Sequence, residues 1–417
     1  MTQSSQATMR RIFGEDVFIA PRLMEEMSEW VIDDLNTIEF MTAGLVAVAG
    51  DMPMLVHEST MSPDSLSAMK DCGLSIGENV ITYRDRQDYI EQVTAMAASG
   101  LKPVFQHANP PGLFDDCDPA IREETICFLN DKSNLGELAG RNNAPARRIL
   151  DPFDEAAVLG LKTPTVLKVA TDKPNGGATD VAICRKRRHL PRACKKLSSA
   201  DRVIVEDYIQ ASANWSVRYE ILRAEPPRSS GQSKQICMRN GVHVGNLACS
   251  GDAPPDAVLD LARAIAEAGR ERGYFGLAGF DILLDRDGRA WAIDLNFRMT
   301  SSSAFGYLFD ALAEPRAMTC GRLAFCFIDH GLSSFLARCR PAFEAGWLVP
   351  VSTFDPEFGV ADPGQARCRM MIMGRDEDDL VRNERRLEAL GAEFHPLRKP
   401  PFWRAFLPSS LFRAPSF

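Results

Sequence analysis

No stretch of this chain approaches the roughly 18 consecutive apolar residues of a membrane-crossing helix, so a membrane partner is not expected. The opening residues MTQSSQATMRRIFGED have no apolar core of the secretory kind, and a soluble, cytoplasmic protein is the expectation. Positive charge is in deficit. With 48 Lys and Arg against 56 Asp and Glu the net charge is -8, which argues against nucleic acid as a general partner. The six histidines are dispersed, none three to five residues from another, so a dedicated zinc site is not expected. The 11 cysteines include no Cys-x-x-Cys pair and are odd in number, and they read as free thiols in a reducing compartment. Both common glycine-rich nucleotide motifs, Gly-x-x-x-x-Gly-Lys-Ser/Thr and Gly-x-Gly-x-x-Gly, are missing.

What is present is enough apolar material, 45% of 417 residues, for two or three cores. Residues 1–125 alternate strand candidates (44–48, 54–56, 80–83, 103–106) with helical patterns such as 85–98, which predicts a small parallel α/β domain. The Pro- and Asp-rich segment QHANPPGLFDDCDP, 106–119, reads as a loop into a second unit, 126–315. Within it, strands are expected near 165–169, 181–184 and 203–206, then mainly strand and hairpin from Trp215 to Phe309 with a helix over 256–272. A tight turn is expected at Asn240-Gly241. Residues 316–417 are expected to be an α+β extension with a strand at 367–373 and a helix at 377–390. The run Arg185-Lys186-Arg187-Arg188-His189, with Arg192, Lys195 and Lys196, is either a solvated face or a neighbour of polyanionic phosphates.

The most informative stretch is LAGFDILLDRDGRAWAIDLNFRMTSSS, residues 277–303. Two apolar runs, 280–284 and 290–295, flank the turn signal Asp285-Arg286-Asp287-Gly288, so a hairpin is predicted. Alternate strand residues share a face, which groups Asp294, Asn296 and Arg298 and lets Asp281 join them from the partner strand. Two carboxylates and an amide oxygen are hard ligands of the kind Mg²⁺ takes. Singly, Asp281 could cap a turn and Asp294 could pair with Arg298. Together, inside apolar strands where an unpaired charge is costly, they read as a metal and phosphate site.

Three further stretches accompany the hairpin. In TPTVLKVATDKPNGGATDVAICRK a strand carries Lys168 into a loop holding Gly176 and Gly177, whose small residues let backbone N-H groups close over phosphates; the plainer reading is a hairpin turn. In RVIVEDYIQ a strand ends in Glu206, Asp207, Tyr208 and Ile209, whose backbone can read an adenine edge, or which is simply a buried strand. In Asn130-Asp131-Lys132, Asp131 is an N-cap and Lys132 either a solvated lysine or a phosphate ligand.

The order of these pieces resembles the ATP-grasp superfamily of carboxylate-amine ligases, over roughly residues 130 to 310. The resemblance implies an α/β fold of α+β ATP-grasp type: a pre-ATP-grasp-like domain at 1–125, a two-lobed core at 126–315 whose nucleotide flap lobe is 155–212, and the extension 316–417. It implies ATP and two Mg²⁺ ions, Mn²⁺ being an acceptable substitute. Lys132 and Lys168 would hold phosphates, Glu206 to Ile209 the adenine, and Asp281, Asp294 and Asn296 the metals, with Asp294 bridging. Arg298 would steady the transferred phosphoryl group, and Lys168 and Arg298 are the residues expected to act in catalysis. The chain departs from the family at Asn214, where an acidic ribose ligand is usual, and at Asp294, where the bridging residue is usually Glu.

The implied reaction makes an amide or peptide bond through an acyl phosphate, from a small-molecule carboxylate and an amine that resemble amino acids in specialised metabolism. Arg218, His243, Ser301 and Ser302 are candidates for the acceptor pocket, each with a structural reading beside it. A biotin-carboxylase-like enzyme, a phosphotransferase and a non-catalytic ATP-binding regulator remain as alternatives. A homodimer is compatible with the sequence.

Overall fold

The computed structural model describes residues 4–394 apart from 28, 32–33, 176–178, 239, 330 and 360–363. Four strands open the chain: β1 Val17–Ala20, β2 Met54–His57, β3 Val80–Tyr83 and β4 Lys102–Phe105. They form a parallel sheet in the order β3-β2-β1-β4. Helix Arg86–Ala98 lies between β3 and β4, opened by Asp85, whose side chain accepts from the Asp88 N-H at 2.9 Å.

One expected strand is corrected. Residues 44–48 begin in a 3-10 turn, Ala43–Leu45, that continues helix Leu35–Thr42, and the first strand is instead Val17–Ala20. All five residues from 44 to 48 except Gly44 are buried, and a short buried apolar run carries no period to separate strand from helical turn.

The next four strands, β5 Arg147–Leu150, β6 Thr165–Val169, β7 Val181–Cys184 and β8 Val203–Asp207, make a separate antiparallel sheet, β5-β8-β6-β7. It has its own core, in which Leu167, Val169, Val203 and Val205 pack on Leu190 and Leu197 of the connecting helical segment. A lobe with an independent core can shift against the rest without opening either core.

The remaining strands build one antiparallel sheet of nine: β9 Ala211–Ile221, β10 Arg228–Cys237, β11 His243–Cys249, β12 Gly276–Asp285, β13 Ala290–Asn296, β14 Cys320–Ile328, β15 Leu348–Phe354, β16 Ala366–Gly374 and β17 Ala392–Phe394. Their order is β13-β12-β9-β10-β11-β14-β16-β15, with β17 beside β14. The strands after residue 316 therefore hydrogen-bond into the same sheet as the acidic hairpin. Helix Asp256–Glu271 packs its apolar stripe, Val258, Leu261, Ala262 and Ile265, into the main core.

The thiol reading is also corrected in part. Cys249 and Cys320 are direct partners in the β11-β14 register and form a disulfide, because antiparallel pairing brings residues far apart in sequence face to face. The other nine cysteines are free.

Candidate functional site

The β12-β13 hairpin positions the acidic pair. Asp285 closes its turn by accepting from the N-H groups of Asp287 and Arg289, both at 2.9 Å, and Gly288 supplies the left-handed residue at φ +80°. This register sets Asp281 directly opposite Asp294. One step further the ladder slips, pairing Ile282 with Ala292, so Ile293 is an extra residue in a bulge. A bulged residue leaves the ladder, and the Ile293 carbonyl accepts from Lys168 Nζ at 2.7 Å. The bulge thus ties the strand lysine of the small sheet to the acidic strand of the large one.

Lys132 arrives from a third direction. Asp131 caps a 3-10 turn, Lys132–Asn134, by accepting from the Ser133 N-H at 2.8 Å, and a short helix, Leu135–Leu138, continues it. From there Lys132 Nζ lies 3.0 Å from Asp180 and 3.1 Å from Asp294, and it donates to Asn175 Oδ1. Burial works against its charge, but Asp180 and Asp294 outweigh burial and hold its pKa above the ordinary lysine value. Burial would likewise raise Asp294, yet Lys132, Lys168 and Arg298 hold it below the ordinary value. Asp281 goes the other way: burial and the facing Asp294 push its pKa up. Its oxygens face Ser216 and Gln235, and Lys132 offsets only part of its charge.

Arg298 lies just beyond β13. Its guanidinium donates to Asn130 Oδ1 at 2.8 Å and to the Asn175 carbonyl at 3.0 Å. Asn130 Oδ1 also takes the Phe297 N-H at 3.0 Å, which fixes the chain at this bend. Asn296 donates to Asp294 at 3.4 Å. Six of the sequence candidates, Lys132, Lys168, Asp281, Asp294, Asn296 and Arg298, are therefore brought together. Gly176 and Gly177 lie outside the described residues.

The segment Glu206 to Ile209 is split. Glu206 is buried, ion-paired to Lys168 at 2.8 Å and to Arg147. Asp207 points to solvent while its N-H pairs with the Ala146 carbonyl at 2.9 Å, Tyr208 lies under Arg185 with the guanidinium 4.9 Å from the ring centre, and Ile209 is half-buried. Apart from that contact, the basic run 185–188 is a solvated face. Asn214 Nδ2 donates to Gln235 at 2.9 Å, and its buried Oδ1 has no partner among the described residues.

Of the acceptor-pocket candidates, Arg218 is buried beneath helix Ser301–Leu312, where a Cβ on Gly306 would come within 2.5 Å of its guanidinium. It donates to Ser233 Oγ at 3.1 Å, and burial brings its pKa down to about 10 against the opposing pull of Asp310. Asn246 links the same Ser233 (3.0 Å) to His243 (3.0 Å). Burial lowers the His243 pKa despite that bond. Ser301 opens the helix, and Ser302 bonds the Thr300 hydroxyl at 2.8 Å inside a capping box.

Several site residues escaped the sequence reading. Asp180, Asn175 and Asn130 complete the ion-pair and hydrogen-bond network, and Arg147 shares Glu206. Their sequence signal was adjacency alone: Asn130 beside Lys132, Asn175 and Asp180 at the two ends of the glycine loop. His107, from the loop after β4, feels the Arg298 charge; burial and that charge take its pKa down to about 3.

Among the described residues no three His, Cys, Asp or Glu side chains stand close enough to cage a metal. The donor set fits Mg²⁺ nevertheless, since that ion is commonly held by one or two carboxylates with nucleotide phosphates and water. The raised pKa of Asp281 marks a carboxylate pair whose repulsion a cation would relieve.

Comparison with known proteins bears on the family and the fold. The model of the family "L-aspartate–L-methionine ligase, ATP grasp" matches residues 145–296, and that of the "L-aspartate–L-methionine ligase N-terminal domain" matches residues 8–127. Solved structures share the fold at low identity. The L-amino acid ligase from Bacillus licheniformis aligns with TM-score 0.52 and 12% identity, covering 85% of this chain and 95% of its own. The N5-carboxyaminoimidazole synthase from Aspergillus clavatus, in complex with ADP and 5-aminoimidazole ribonucleotide, gives TM-score 0.55 and 11% identity over 90% and 98%. The biotin carboxylase domain of the Hydrogenobacter thermophilus 2-oxoglutarate carboxylase gives 0.53 and 11% over 91% and 90%. Both halves of one ligase family thus fall in order on a fold that carries the acidic hairpin and the two lysines, and the chain belongs to the ATP-grasp superfamily as an ATP-dependent carboxylate-amine ligase.

Proposed function

We propose that this ligase joins a carboxylate of L-aspartate to the amine of L-methionine, the pair named by the family whose models match it. The observation that carries the catalytic reading is the convergence of Lys132, Lys168, Arg298, Asp281 and Asp294 on one cleft from three separate parts of the fold.

In this reading Asp281, Asp294 and Asn296 would be the residues that hold Mg²⁺, two ions being the number proposed. When bound, the ions neutralise phosphate charge as the γ-phosphoryl group leaves ADP. Lys132 and Lys168 grip the phosphates. The stretch Glu206, Asp207, Tyr208 and Ile209 receives the adenine. The free Oδ1 of Asn214 suits a donor such as a ribose hydroxyl, in place of the family's acidic residue.

A substrate carboxylate oxygen attacks the γ-phosphorus and ADP departs, leaving an acyl phosphate whose new charge Arg298 steadies. The amine nitrogen then attacks the acyl carbon, the C-O bond to phosphate breaks, and the nitrogen gives up a proton as the amide forms. Positioning and charge supply most of the rate, and exclusion of water protects the acyl phosphate. Arg218, His243 and Ser302 are the proposed contacts to the acceptor, and Ser301 opens the helix beside them.

The test is release of ADP and phosphate from Mg-ATP across amino acids offered singly and in pairs, with mass spectrometry of products. The expected result is release that requires aspartate and methionine together and a product of their summed mass less one water. Release with another pair would replace the substrates; release with a single amino acid and a phosphorylated product would overturn ligation.

A further inference from the structure

Lys132 and Lys168 are engaged to different degrees. Lys168 has two acceptors among the described residues, Glu206 at 2.8 Å and the Ile293 carbonyl at 2.7 Å, so one N-H of its ammonium remains for a ligand. Lys132 is fully surrounded. It donates to Asn175 Oδ1 and lies 3.0 Å from Asp180 and 3.1 Å from Asp294, which gives it as many oxygens as an ammonium has N-H groups. A phosphate oxygen reaches Lys132 Nζ only by replacing one of them.

Asn175 is the partner that can leave. It is neutral, whereas Asp180 and Asp294 hold the buried lysine in its charged form. A carboxylate displaced from Lys132 would be left beside the incoming phosphate, a repulsion that a displaced amide does not create. Asn175 also covers the second cation of the site, since its backbone carbonyl accepts from Arg298 Nη2 at 3.0 Å. One residue thus occupies donors on both.

Asn175 is held in place by the N-terminal part of the chain. Its backbone pairs with Trp30 in an isolated parallel bridge, and at the other end of the glycine loop the Thr179 hydroxyl donates to the Trp30 carbonyl. Trp30 lies between β1 and helix Leu35–Thr42, yet it is buried in the core of the small sheet with Leu167 and Val169. Beside it Glu29 approaches Lys173 to 3.8 Å. Trp30 is therefore connected, through Asn175, to Lys132 and Arg298.

We propose that Asn175 is an autoinhibitory contact, its two oxygens standing on Lys132 and Arg298 where nucleotide phosphate binds, with Trp30 holding it there until phosphate displaces it. The inference rests on the phosphate reading of Lys132 given above and adds the regulation of that site. Phosphate wins the exchange because it brings negative charge to both cations, where the amide brings only a dipole. Apparent nucleotide affinity is then the intrinsic affinity reduced by the fraction of molecules in which Asn175 has let go.

Calorimetric titration with Mg-AMPPNP, which cannot pass on its γ-phosphoryl group, compares wild type with Asn175→Ala, Thr179→Val and Lys132→Ala, and thermal melts check the fold. Asn175→Ala, which removes the Oδ1 contact, should bind roughly 2- to 10-fold more tightly than wild type. Thr179→Val, which cuts the tie to the Trp30 carbonyl and leaves Asn175 present, should bind more tightly by a smaller factor. Unchanged or weaker binding by Asn175→Ala would overturn the inference, weaker binding marking Asn175 as a phosphate ligand in its own right. A gain in Asn175→Ala without one in Thr179→Val would overturn the part given to Trp30. Lys132→Ala tests the reading underneath: it should lose affinity about 10-fold or more, and an unchanged affinity would remove Lys132 from the phosphates and the inference with it.

Discussion

Lys132 Nζ lies 3.1 Å from Asp294 Oδ1, which joins the proposed phosphate ligand to the proposed metal ligand across the cleft. Each stabilises the other's charged form: Asp294 raises the lysine pKa, and Lys132 is the first of three cations that hold the aspartate down. The pair keeps both groups ionised in a place where burial opposes charge, and replacement of one member tests the other.

Asp294→Asn should lower turnover at least about 100-fold while leaving a folded protein, because the amide cannot supply the negative charge that the proposed metal ligand provides. Lys132 keeps Asp180 at 3.0 Å, so no buried cation is stranded. Steady-state rates and far-UV circular dichroism decide it, and near-normal turnover would remove Asp294 from the metal site.

Lys168→Ala should act mainly on the nucleotide, weakening Mg-ADP binding roughly 10- to 100-fold as a charge-assisted contact is lost. Glu206 retains Arg147, which limits the loss of stability. Calorimetric titration with Mg-ADP is the check, and an unchanged affinity would assign the phosphates to other residues.

Asp281→Asn should abolish activity and yet stabilise the metal-free protein at neutral and alkaline pH. Its folded-state pKa is raised, by burial and then by Asp294, so its ionised form costs stability that the amide does not. As pH falls toward the ordinary carboxylate range, Asp281 takes up a proton in the fold and the gain shrinks. Thermal melts in chelator at about pH 8 and about pH 5 measure this; a gain that grows toward acid would contradict it.

His107 should contribute to acid sensitivity. Burial and Arg298 take its pKa from 6.5 down to about 3, so it stays neutral in the fold while the unfolded chain binds a proton below 6.5. Its contribution is present above 6.5 and is lost as pH falls from there toward 3. His107→Gln should flatten the fall of melting temperature over that interval; an unaltered acid limb would show that the imidazole is not held neutral.

Gly269→Ala should destabilise by about 1 to 3 kcal/mol, the usual cost of overpacking. A Cβ there would lie 2.2 Å from the Phe297 ring, between helix Asp256–Glu271 and the bend that carries Arg298. Chemical denaturation measures the loss. Turnover should fall as well, because moving Phe297 disturbs its N-H bond to Asn130 and with it the Arg298 anchor.

Where a local rule was strong, the sequence was legible. The turn Asp285 to Gly288 set the hairpin, and the helical patterns at 85–98 and 377–390 proved to be helices, which the structure shows opened by Asp85 and Asp376, each accepting from an N-H three residues on, at 2.9 and 2.7 Å. Alternation placed β6, β7, β8 and β16 within a residue or two. Where a run was apolar without a period, as at 44–48, the sequence did not separate strand from turn. The four-residue strand Val17–Ala20 carried too little pattern to stand out.

By itself the sequence determined the order of the chemical pieces and the face shared by Asp294 and Asn296, since strand alternation and turn chemistry act within a few residues. Only the tertiary structure decided the partners. Lys168 meets Glu206 and the bulged Ile293 carbonyl, Lys132 meets Asp180 and Asp294, and Cys249 meets Cys320. Arg367 is paired while Arg369, two positions away, has no ionic partner among the described residues. Such pairings depend on the register of nine strands and on how the first sheet docks against them, and the desolvation that makes an unpaired charge costly exists only once those layers have closed.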